Sequence, residues 1–228
     1  MAQLGFHVNI DNCIACRGCE AACKQEYDLP IGVRRRRVII EEGVQDGTPW
    51  RRSISMACNH CATPACLHAC PVNRYWKDEA GQEGVDALRA FFGFSGDYTG
   101  IVLYRPRTVE DANLGVDCIG CKRCLVACPY GAPQWDEATA AMDKCQACYH
   151  RLFPADGSTL PVEKQQPACV VTCTAMALSF GDIADVDDWA QRAAGAPIEV
   201  DTAPPDGGRD ITNPELTTPS IRFTPLSI

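Results

Sequence analysis

The chain has little positive charge and no long hydrophobic run. Lys and Arg number 21 against 29 Asp and Glu, a formal net charge of −8, so a basic face for nucleic acid is not expected. No stretch approaches the roughly 18 apolar residues of a membrane-spanning helix. The segment Met1–Ile10 lacks a basic stretch followed by an apolar one, so no signal peptide of its own is predicted. These absences predict a protein that binds no nucleic acid and has no direct membrane span.

Cysteine is the residue that the sequence has in excess. All sixteen cysteines fall into four quartets, and none is left over. The quartets are Cys13, Cys16, Cys19 and Cys23; Cys58, Cys61, Cys66 and Cys70; Cys118, Cys121, Cys124 and Cys128; and Cys145, Cys148, Cys169 and Cys173. Neighbours at C-x-x-C spacing converge easily on one metal centre, whereas a disulfide between them would close a small strained ring. The spacing therefore favours metal binding over a disulfide framework.

The spacing within the quartets distinguishes two kinds of metal site. Zinc binds four thiolates, which C-x-x-C pairs commonly supply, and it stays open as the alternative. Ferredoxins use C-x2-C-x2-C-x3-C-P, in which three cysteines bind one 4Fe-4S cluster and the fourth binds another. The third quartet with Pro129 matches this run, and the first departs from it only at Lys24. The second quartet reads C-x2-C-x4-C-x3-C-P and the fourth C-x2-C-x20-C-x3-C, so iron–sulfur clusters are favoured.

The four quartets form an internal repeat. Because a two-cluster ferredoxin carries two such quartets, four quartets predict an α+β, loop-rich fold. It should contain two ferredoxin-like (2×4Fe-4S) modules in tandem pseudo-repeat, with four 4Fe-4S clusters. Strands are expected at Phe6–Ile10, Gly100–Tyr104 and Ala177–Phe180. The alternation in the first of these strands directs His7 toward solvent.

Short helices should follow the third cysteines of the first and third quartets, at Cys19–Tyr27 and Cys124–Cys128. Backbone N–H groups there can stabilise the negative charge of a cluster. An insertion at residues 71–117 separates the second and third quartets. Its apolar-periodic stretch from Val85 to Phe92 predicts one helix, and another helix is expected at 185–194.

The C-terminal residues 197–228 are rich in Pro, Thr and Asp. Such a composition predicts disorder, or alternatively an extended C-terminal arm that lies on a partner. Sixteen of the hydrophobic residues, which make up 46% of the chain, are cysteines, so the apolar core is thin. We therefore expect this tail, and part of the insertion, to be ordered only against partner subunits.

Two basic runs lie near the quartets, Arg34–Arg37 and Lys122–Arg123. A run of charge is most often a solvated face. The alternative is that these cations raise the potential of a cluster or pair with acidic residues of a partner. His60 and His68 lie within the second quartet, where hydrogen bonding around the cluster is favoured over ligation because all four cysteines are present.

The order of the quartets resembles that of one family. The matching stretches are NCIACRGCEAACK, SMACNHCATPACLHACP, VDCIGCKRCLVACPYGAPQW, DKCQACYHR and PACVVTCTAMALSFGDI. They are similar to the four-cluster iron–sulfur (B) subunit of dimethyl sulfoxide reductase-type molybdopterin oxidoreductases, over most of residues 6–183. In related nitrate reductase subunits a Trp replaces one cysteine of the third quartet and gives a three-iron cluster. That position is Cys121 here, so the resemblance implies four-iron clusters throughout.

The resemblance also implies the ligands of each cluster. They are Cys13, Cys16, Cys19 and Cys173 for cluster 1; Cys145, Cys148, Cys169 and Cys23 for cluster 2; Cys58, Cys61, Cys66 and Cys128 for cluster 3; and Cys118, Cys121, Cys124 and Cys70 for cluster 4. Residues 1–57 and 140–196 then form the first ferredoxin-like module, from quartets one and four. Residues 58–139 form the second, from quartets two and three, and include the insertion 71–117. Residues 197–228 form the tail.

By the same resemblance the chain is an electron-transfer subunit and not itself an enzyme. It would relay single electrons between a molybdopterin (Mo or W) catalytic subunit, near cluster 1, and a quinone-reactive membrane anchor subunit, near cluster 4. Membrane association would come through a partner, on the cytoplasmic face or after export of the folded chain with its partner. The alternatives are the iron–sulfur subunit of a formate dehydrogenase or hydrogenase complex, a free-standing polyferredoxin, and a zinc-only scaffold.

Overall fold

The fold consists of short strands and short helices joined by many loops. A computed structural model describes residues 3–82, 84–91, 94, 96–105, 117–153, 165–183, 217–218 and 220–224. The strands among them are β1 Leu4–Asn9, β2 Arg36–Gln45, β3 Thr48–Ala57, β4 Tyr75–Lys77, β5 Val102–Tyr104, β6 Gln134–Asp136, β7 Ala141–Asp143, β8 Leu178–Asp182 and β9 Ile221–Thr224. The helices are α1 Gly18–Glu26, α2 Ala65–His68, α3 Val85–Phe91, α4 Arg123–Ala127, α5 Tyr149–Leu152 and α6 Ala168–Val171. The structure therefore confirms the expected α+β class.

The two halves of the chain repeat one order of elements. Each half runs strand, quartet, two-stranded hairpin, quartet, strand: β1, β2–β3 and β4 in the first, and β5, β6–β7 and β8 in the second. The outermost strands then pair between the halves. Strand β1 is antiparallel to β8, with Phe6 opposite Phe180, and β4 is antiparallel to β5, with Tyr75 opposite Tyr104. This pairing brings the first quartet to the fourth, and the second to the third.

The helices that follow the cysteines pack in the same combinations. Helix α1 contacts α6, and α2 contacts α4. The helices expected at Cys19–Tyr27 and Cys124–Cys128 are confirmed as α1 and α4, and the strands expected at Gly100–Tyr104 and Ala177–Phe180 as β5 and β8. The helix of the insertion is confirmed as α3. The helix expected at 185–194 lies outside the described residues.

Strand β1 is the centre of a three-stranded sheet in the order β8-β1-β9. Phe6 and Val8 are fully buried, and His7 on the opposite face is only 3% exposed. The prediction that His7 faces solvent is therefore wrong. Alternation assumes that one face of a strand is open to water, whereas both faces of β1 are covered by the chain.

The end of the C-terminal tail folds back on its own chain. Strand β9 is parallel to β1, with Ile221 opposite Phe6. Backbone hydrogen bonds of 2.8–2.9 Å join Ala62 N to Thr218 O and Ser220 N to Asn59 O. The expectation that residues 197–228 are ordered only against a partner is thus wrong for residues 217–218 and 220–224. Residues 197–216, 219 and 225–228 lie outside the described part.

Most of the insertion 71–117 is also held by its own contacts. Asp78 is fully buried and accepts hydrogen bonds from the Arg89 guanidinium, from Thr99 N at 3.0 Å and from Thr99 Oγ1 at 2.6 Å. This carboxylate joins α3 to the loop before β5. The described part of the insertion therefore does not depend on a partner, and the expectation stays a prediction for residues 83, 92, 93, 95 and 106–116, which lie outside the described part.

Cysteines and apolar side chains share the interior. One buried cluster contains Cys19, Cys58, Cys145 and Cys169 together with Phe6, and a smaller one contains Cys66 and Cys124. The core is thus organised around the thiols.

Among the described residues, no helix has both the length and the apolar composition needed to cross a membrane.

The packing of β9 predicts that Ile221→Ala destabilises the chain. Ile221 is buried against β1, so the substitution should lower the free energy of unfolding by about 2–4 kcal/mol. The matched control is Ile31→Ala, because Ile31 is fully exposed, with an expected change of about 0.5 kcal/mol or less. Thermal unfolding of the intact chain distinguishes the two, and equal melting temperatures would show that β9 contributes nothing.

Candidate iron–sulfur sites

All sixteen cysteines are free thiols in the structure. Cys16 and Cys121 are exposed, and every other cysteine is buried or half-buried. Thiols placed in the interior of a protein are either structural hydrophobes or ligands. Their grouping distinguishes these two possibilities.

The cysteines lie in four groups, each with three members of one quartet and one member of another. The Cys13 thiol has Cys19, Cys173 and Cys16 as its neighbours, and Cys23 has Cys145, Cys169 and Cys148. Cys66 has Cys58, Cys128 and Cys61, while Cys70, Cys118, Cys121 and Cys124 line one cavity together. We call these sets groups 1 to 4 in that order. They have the membership that the family resemblance implies, and their role as ligands stays a prediction.

Groups 3 and 4 each surround a cavity. The four thiols of group 3 line about 350 Å³ of empty space, part of it open to solvent, together with Pro64, Lys144 and Thr217. Those of group 4 line about 280 Å³ with Tyr75, Tyr104 and Lys122. Four cysteine sulfurs around one space are the donor set of a 4Fe-4S cluster. The residues present therefore fit this cofactor.

The loops at the first cysteines are bent so that backbone N–H groups point at sulfur. The residue two positions after the first cysteine has a positive φ in all four quartets, at Ala15, His60, Gly120 and Ala147. Ala147 N donates to the sulfur of Cys145 at 3.4 Å. Positive φ is strained for residues other than glycine and persists where the surroundings hold it. N–H donors of this kind stabilise anionic sulfur.

A second set of N–H groups lies after the fourth cysteines. Arg74 N donates to Cys70 Sγ at 3.3 Å, and Ala177 N donates to Cys173 Sγ at 3.2 Å. The equivalent contact to Cys128 comes from Ala132 N at 3.5 Å. Each donor lies four residues after its cysteine, beyond a residue with positive φ. These N–H contacts to sulfur were not predicted from the sequence. Their constant position, four residues after the fourth cysteine, is a signal that could have indicated them.

Three tyrosine hydroxyls face cysteine sulfurs. Tyr27 lies beside Cys148, Tyr75 beside Cys124 and Tyr104 beside Cys118. Burial, reinforced by the adjacent thiols, raises the pKa of all three phenols, so each keeps its proton. Within the described part of the chain these hydroxyls find no hydrogen-bond partner of ordinary geometry. Protonated donors in this position suit an anionic cluster.

The C-terminal segment contributes Thr217 to group 3. Its hydroxyl contacts Tyr130 Oη at 2.6 Å and lies close to the Cys61 sulfur. Burial, together with Cys58 and Cys128, raises the pKa of the Cys61 thiol to about 12. Composition alone pointed to a disordered or partner-bound tail, so this contact was not predicted.

Arg36 and Lys144 are cations buried among the groups, as is Arg74, which lines the cavity of group 4. Arg36 is 2% exposed and lies near cysteines of groups 1 and 2. Lys144 is fully buried beside Cys58, and its Nζ donates to the carbonyl oxygens of Val102 and Cys145. The prediction that Arg34–Arg37 is a solvated face is therefore right for Arg34, which is 55% exposed, and wrong for Arg36.

The ring of His60, one of two histidines in the second quartet, contacts backbone. His60 Nδ1 accepts a hydrogen bond from Val102 N at 3.2 Å. Burial, reinforced by the charge of Lys144, lowers the pKa of His60 well below its usual value, so the ring is neutral. Its backbone N–H donates to Cys58. His60 thus shapes the loop around group 3, and His68 is exposed at the end of α2.

The groups adjoin one another in the order 1, 2, 3 and 4, a succession that we call the row. Cys169 of group 2 has Cys19 of group 1 as a neighbour, and Cys58 of group 3 has Cys145 of group 2. Tyr75 lies next to both Cys66 of group 3 and Cys124 of group 4. The two exposed cysteines, Cys16 and Cys121, belong to groups 1 and 4. The row therefore has a buried middle and two accessible ends.

Comparison with known proteins finds one matching family model and relatives that are named as parts of reductases and of a dehydrogenase. A family model described as a 4Fe-4S dicluster domain matches residues 49–183. The B subunit of the anaerobic dimethyl sulfoxide reductase of Escherichia coli is 34% identical over 79% of this chain and 74% of its own length. The Haemophilus influenzae protein of the same name is 32% identical over 100% of this chain and 94% of its own. The formate dehydrogenase iron-sulfur subunit of Wolinella succinogenes is 32% identical over 79% of this chain and 82% of its own.

The tyrosine hydroxyls predict a change in potential. In Tyr75→Phe the donor facing Cys124 is lost, so the reduction potential of one cluster should fall by about 30–60 mV, the equivalent of one hydrogen bond in a one-electron couple. Redox titration followed by electron paramagnetic resonance (EPR) measures this shift. Tyr98→Phe is the control, because the Tyr98 hydroxyl bonds Asp86. A shift in every cluster, or in none, would contradict the assigned contact.

Proposed function

The protein is a member of the iron–sulfur (B) subunit family of dimethyl sulfoxide reductase-type oxidoreductases, in which it is an electron-transfer subunit, and we propose that its sixteen cysteines hold four 4Fe-4S clusters in a row. A 4Fe-4S cluster, when bound, takes up and releases single electrons. The observation that carries the proposal is the row of four cysteine groups with an exposed cysteine only at each end.

The ligands of the four clusters are the four groups. Clusters 1, 2, 3 and 4 are held by groups 1, 2, 3 and 4, each with one cysteine from the distant quartet. The proximity of the thiols supports this assignment, as do the N–H donors at Cys70, Cys128, Cys145 and Cys173. In each group the chain supplies four sulfurs and polar hydrogens that face them, and it buries most of these sulfurs.

The groups divide between two ferredoxin-like modules. Groups 1 and 2 combine the first and fourth quartets with the β1–β8 pair, and groups 3 and 4 combine the second and third quartets with the β4–β5 pair. The first module comprises residues 1–57 and 140–196, and the second comprises residues 58–139. The tail beyond residue 196 returns to both, because β9 extends the sheet of β1 while Thr217 reaches group 3.

The two ends of the row carry exposed apolar side chains. Ile14 and Met176 lie in the loops of group 1 and are 67% and 80% exposed. Ile119 lines the group 4 cavity with Cys121, and Val126 lies in α4, which follows that cysteine; they are 62% and 57% exposed. Large exposed aliphatic residues grouped at one place mark interaction surfaces. Partners at these two surfaces would approach the terminal groups closely.

The partners follow from the family. The names of the related dimethyl sulfoxide reductase proteins mark them as parts of larger reductases, and we assign the group 1 end to a molybdopterin-containing catalytic subunit. The group 4 end is assigned to a membrane anchor subunit with a quinone site, which would tie the protein to the membrane. Substrate chemistry then belongs to the catalytic partner. The formate dehydrogenase relative supports the same role beside a different catalytic subunit, and a pull-down with metal analysis distinguishes the two.

The first test uses the exposed ligand of the last group. We expect about sixteen iron and sixteen sulfide per chain, and about one iron fewer in Cys121→Ser, because one four-iron cluster becomes a three-iron cluster with its own EPR signal. The other three clusters should be unchanged. Cys124→Ser, at a buried position of the same group, is the comparison. Loss of two clusters in Cys121→Ser, or zinc in place of iron in anaerobic wild-type protein, would overturn the proposal.

The second test addresses the two surfaces. Ile14→Glu should weaken attachment of the catalytic subunit, and Ile119→Glu that of the anchor, each by about tenfold or more, because a charge would be buried in an apolar contact. Ile31→Glu is the control at an exposed site outside the quartets. Co-purification of each subunit with the tagged protein measures the effect, with iron content as the check on folding. If either variant releases both partners or neither, the assignment of the ends is wrong.

A further inference from the structure

Arg36 is a buried cation that has no anionic side chain as a partner in the described residues. It begins β2, directly after the loop that follows α1, and is 2% exposed. Its neighbours in the run differ: Arg35 forms an ion pair with Asp143 at 2.7 Å, and Arg34 is exposed near Glu20. Burial of a cation without a counter-charge is strongly unfavourable. Something else in this part of the fold must balance it.

The contacts of the guanidinium leave two of its nitrogens free. Nη1 donates to the Ser55 carbonyl oxygen at 3.2 Å and to Ser55 Oγ at 3.1 Å, and the group lies over the ring of Phe6 at 4.4 Å. Nε and Nη2 are buried and find no hydrogen-bond acceptor among the described residues. Donors of a guanidinium are rarely left unused in an interior, so these two nitrogens indicate a missing acceptor.

The sulfurs around Arg36 belong to cysteines of two groups. Although burial opposes the charge, Cys169 and Cys145 of group 2 and Cys19 of group 1 raise the pKa of the guanidinium, as does Cys23. Arg36 thus lies at the boundary between groups 1 and 2, where Cys19 and Cys169 approach one another. Anionic clusters on both sides would supply the missing acceptor and the missing counter-charge.

Ser55 extends this contact to one group only. Its hydroxyl accepts from Arg36 and lies 3.2 Å from Cys19 Sγ. Because the oxygen is engaged by the guanidinium, the hydroxyl proton is free to be donated to the sulfur of Cys19. Arg36 therefore faces groups 1 and 2, whereas Ser55 contacts group 1.

We propose that Arg36 is the shared counter-cation of the clusters at groups 1 and 2 and that, with Ser55, it sets the electron affinity of this end of the row. The inference rests on the proposed function, since it needs clusters at these groups. A fixed positive charge stabilises the more negative, reduced form of each neighbouring cluster. Arg36 is a positioning residue in this role and touches no substrate. Its shared position keeps the two neighbouring potentials linked, because one charge acts on both.

The experiment is a redox titration of the full chain in its native complex, with each cluster followed by EPR. In Arg36→Met the ratio of reduced to oxidised cluster at a fixed potential should fall about tenfold or more for two clusters, the size of effect that a nearby opposite charge has on an ionisation. The other two clusters should keep their potentials. In Ser55→Ala the same ratio should fall about fivefold for one of these two clusters, the cluster at group 1, as expected for the loss of one hydrogen bond.

The controls separate charge from folding. Arg34→Met removes an exposed cation of the same run and should shift no cluster. Arg36→Lys keeps the charge and should restore most of both potentials, so this variant and Ser55→Ala test the inference even if Arg36→Met fails to hold iron. Unchanged potentials in Ser55→Ala, or a loss in Arg36→Lys as large as that in Arg36→Met, would overturn it. Failure of wild-type protein to show four clusters would instead overturn the proposed function.

Discussion

The grouping of sixteen thiols in four sets, with fourteen of the thiols buried or half-buried, is the constraint on which the rest of the structure depends. Burial is the main cause that raises the pKa of Cys61 and of Cys169 to about 12, so in the chain alone these sulfurs are neutral. Metal ligands must be thiolates, and the free energy of cluster binding therefore becomes part of the free energy of folding. Short helices and two- or three-stranded sheets suffice as a scaffold because the groups tie distant segments together.

Charge balance explains the polar groups in the interior. Thiolates around a cluster need positive partners, and the chain supplies backbone N–H groups, tyrosine hydroxyls such as that of Tyr75, and the cations Arg36 and Lys144. Each would be costly in an apolar core, and together they surround the cysteines. The same argument accounts for residues other than glycine, such as Ala15 and Ala147, in left-handed conformation: the turn directs an N–H at sulfur, and the contact offsets the strain.

Local pattern predicted part of this arrangement and long-range packing determined the rest. Cysteine spacing is a local signal, so the quartets, the helices after them and strands such as Gly100–Tyr104 were predictable. The burial of His7 was not, because it depends on chain packed over both faces of β1. Because Arg36 lies within a run of four arginines, its sequence context predicts a surface charge. Only the fold shows that its guanidinium contacts Ser55. Thr217 belongs to a tail whose composition carries no sign of its contact with group 3.

The central claim is that the two halves of the chain share ligands in four four-iron sites. Crystallographic data from the loaded protein, collected on both sides of the iron absorption edge, test it most directly because the iron atoms then appear independently of the protein atoms. The account predicts four compact peaks of four irons each, in one row, with Cys173 beside the first and Cys70 beside the last. Single-ion peaks, or a peak whose four cysteines all come from one quartet, would contradict it.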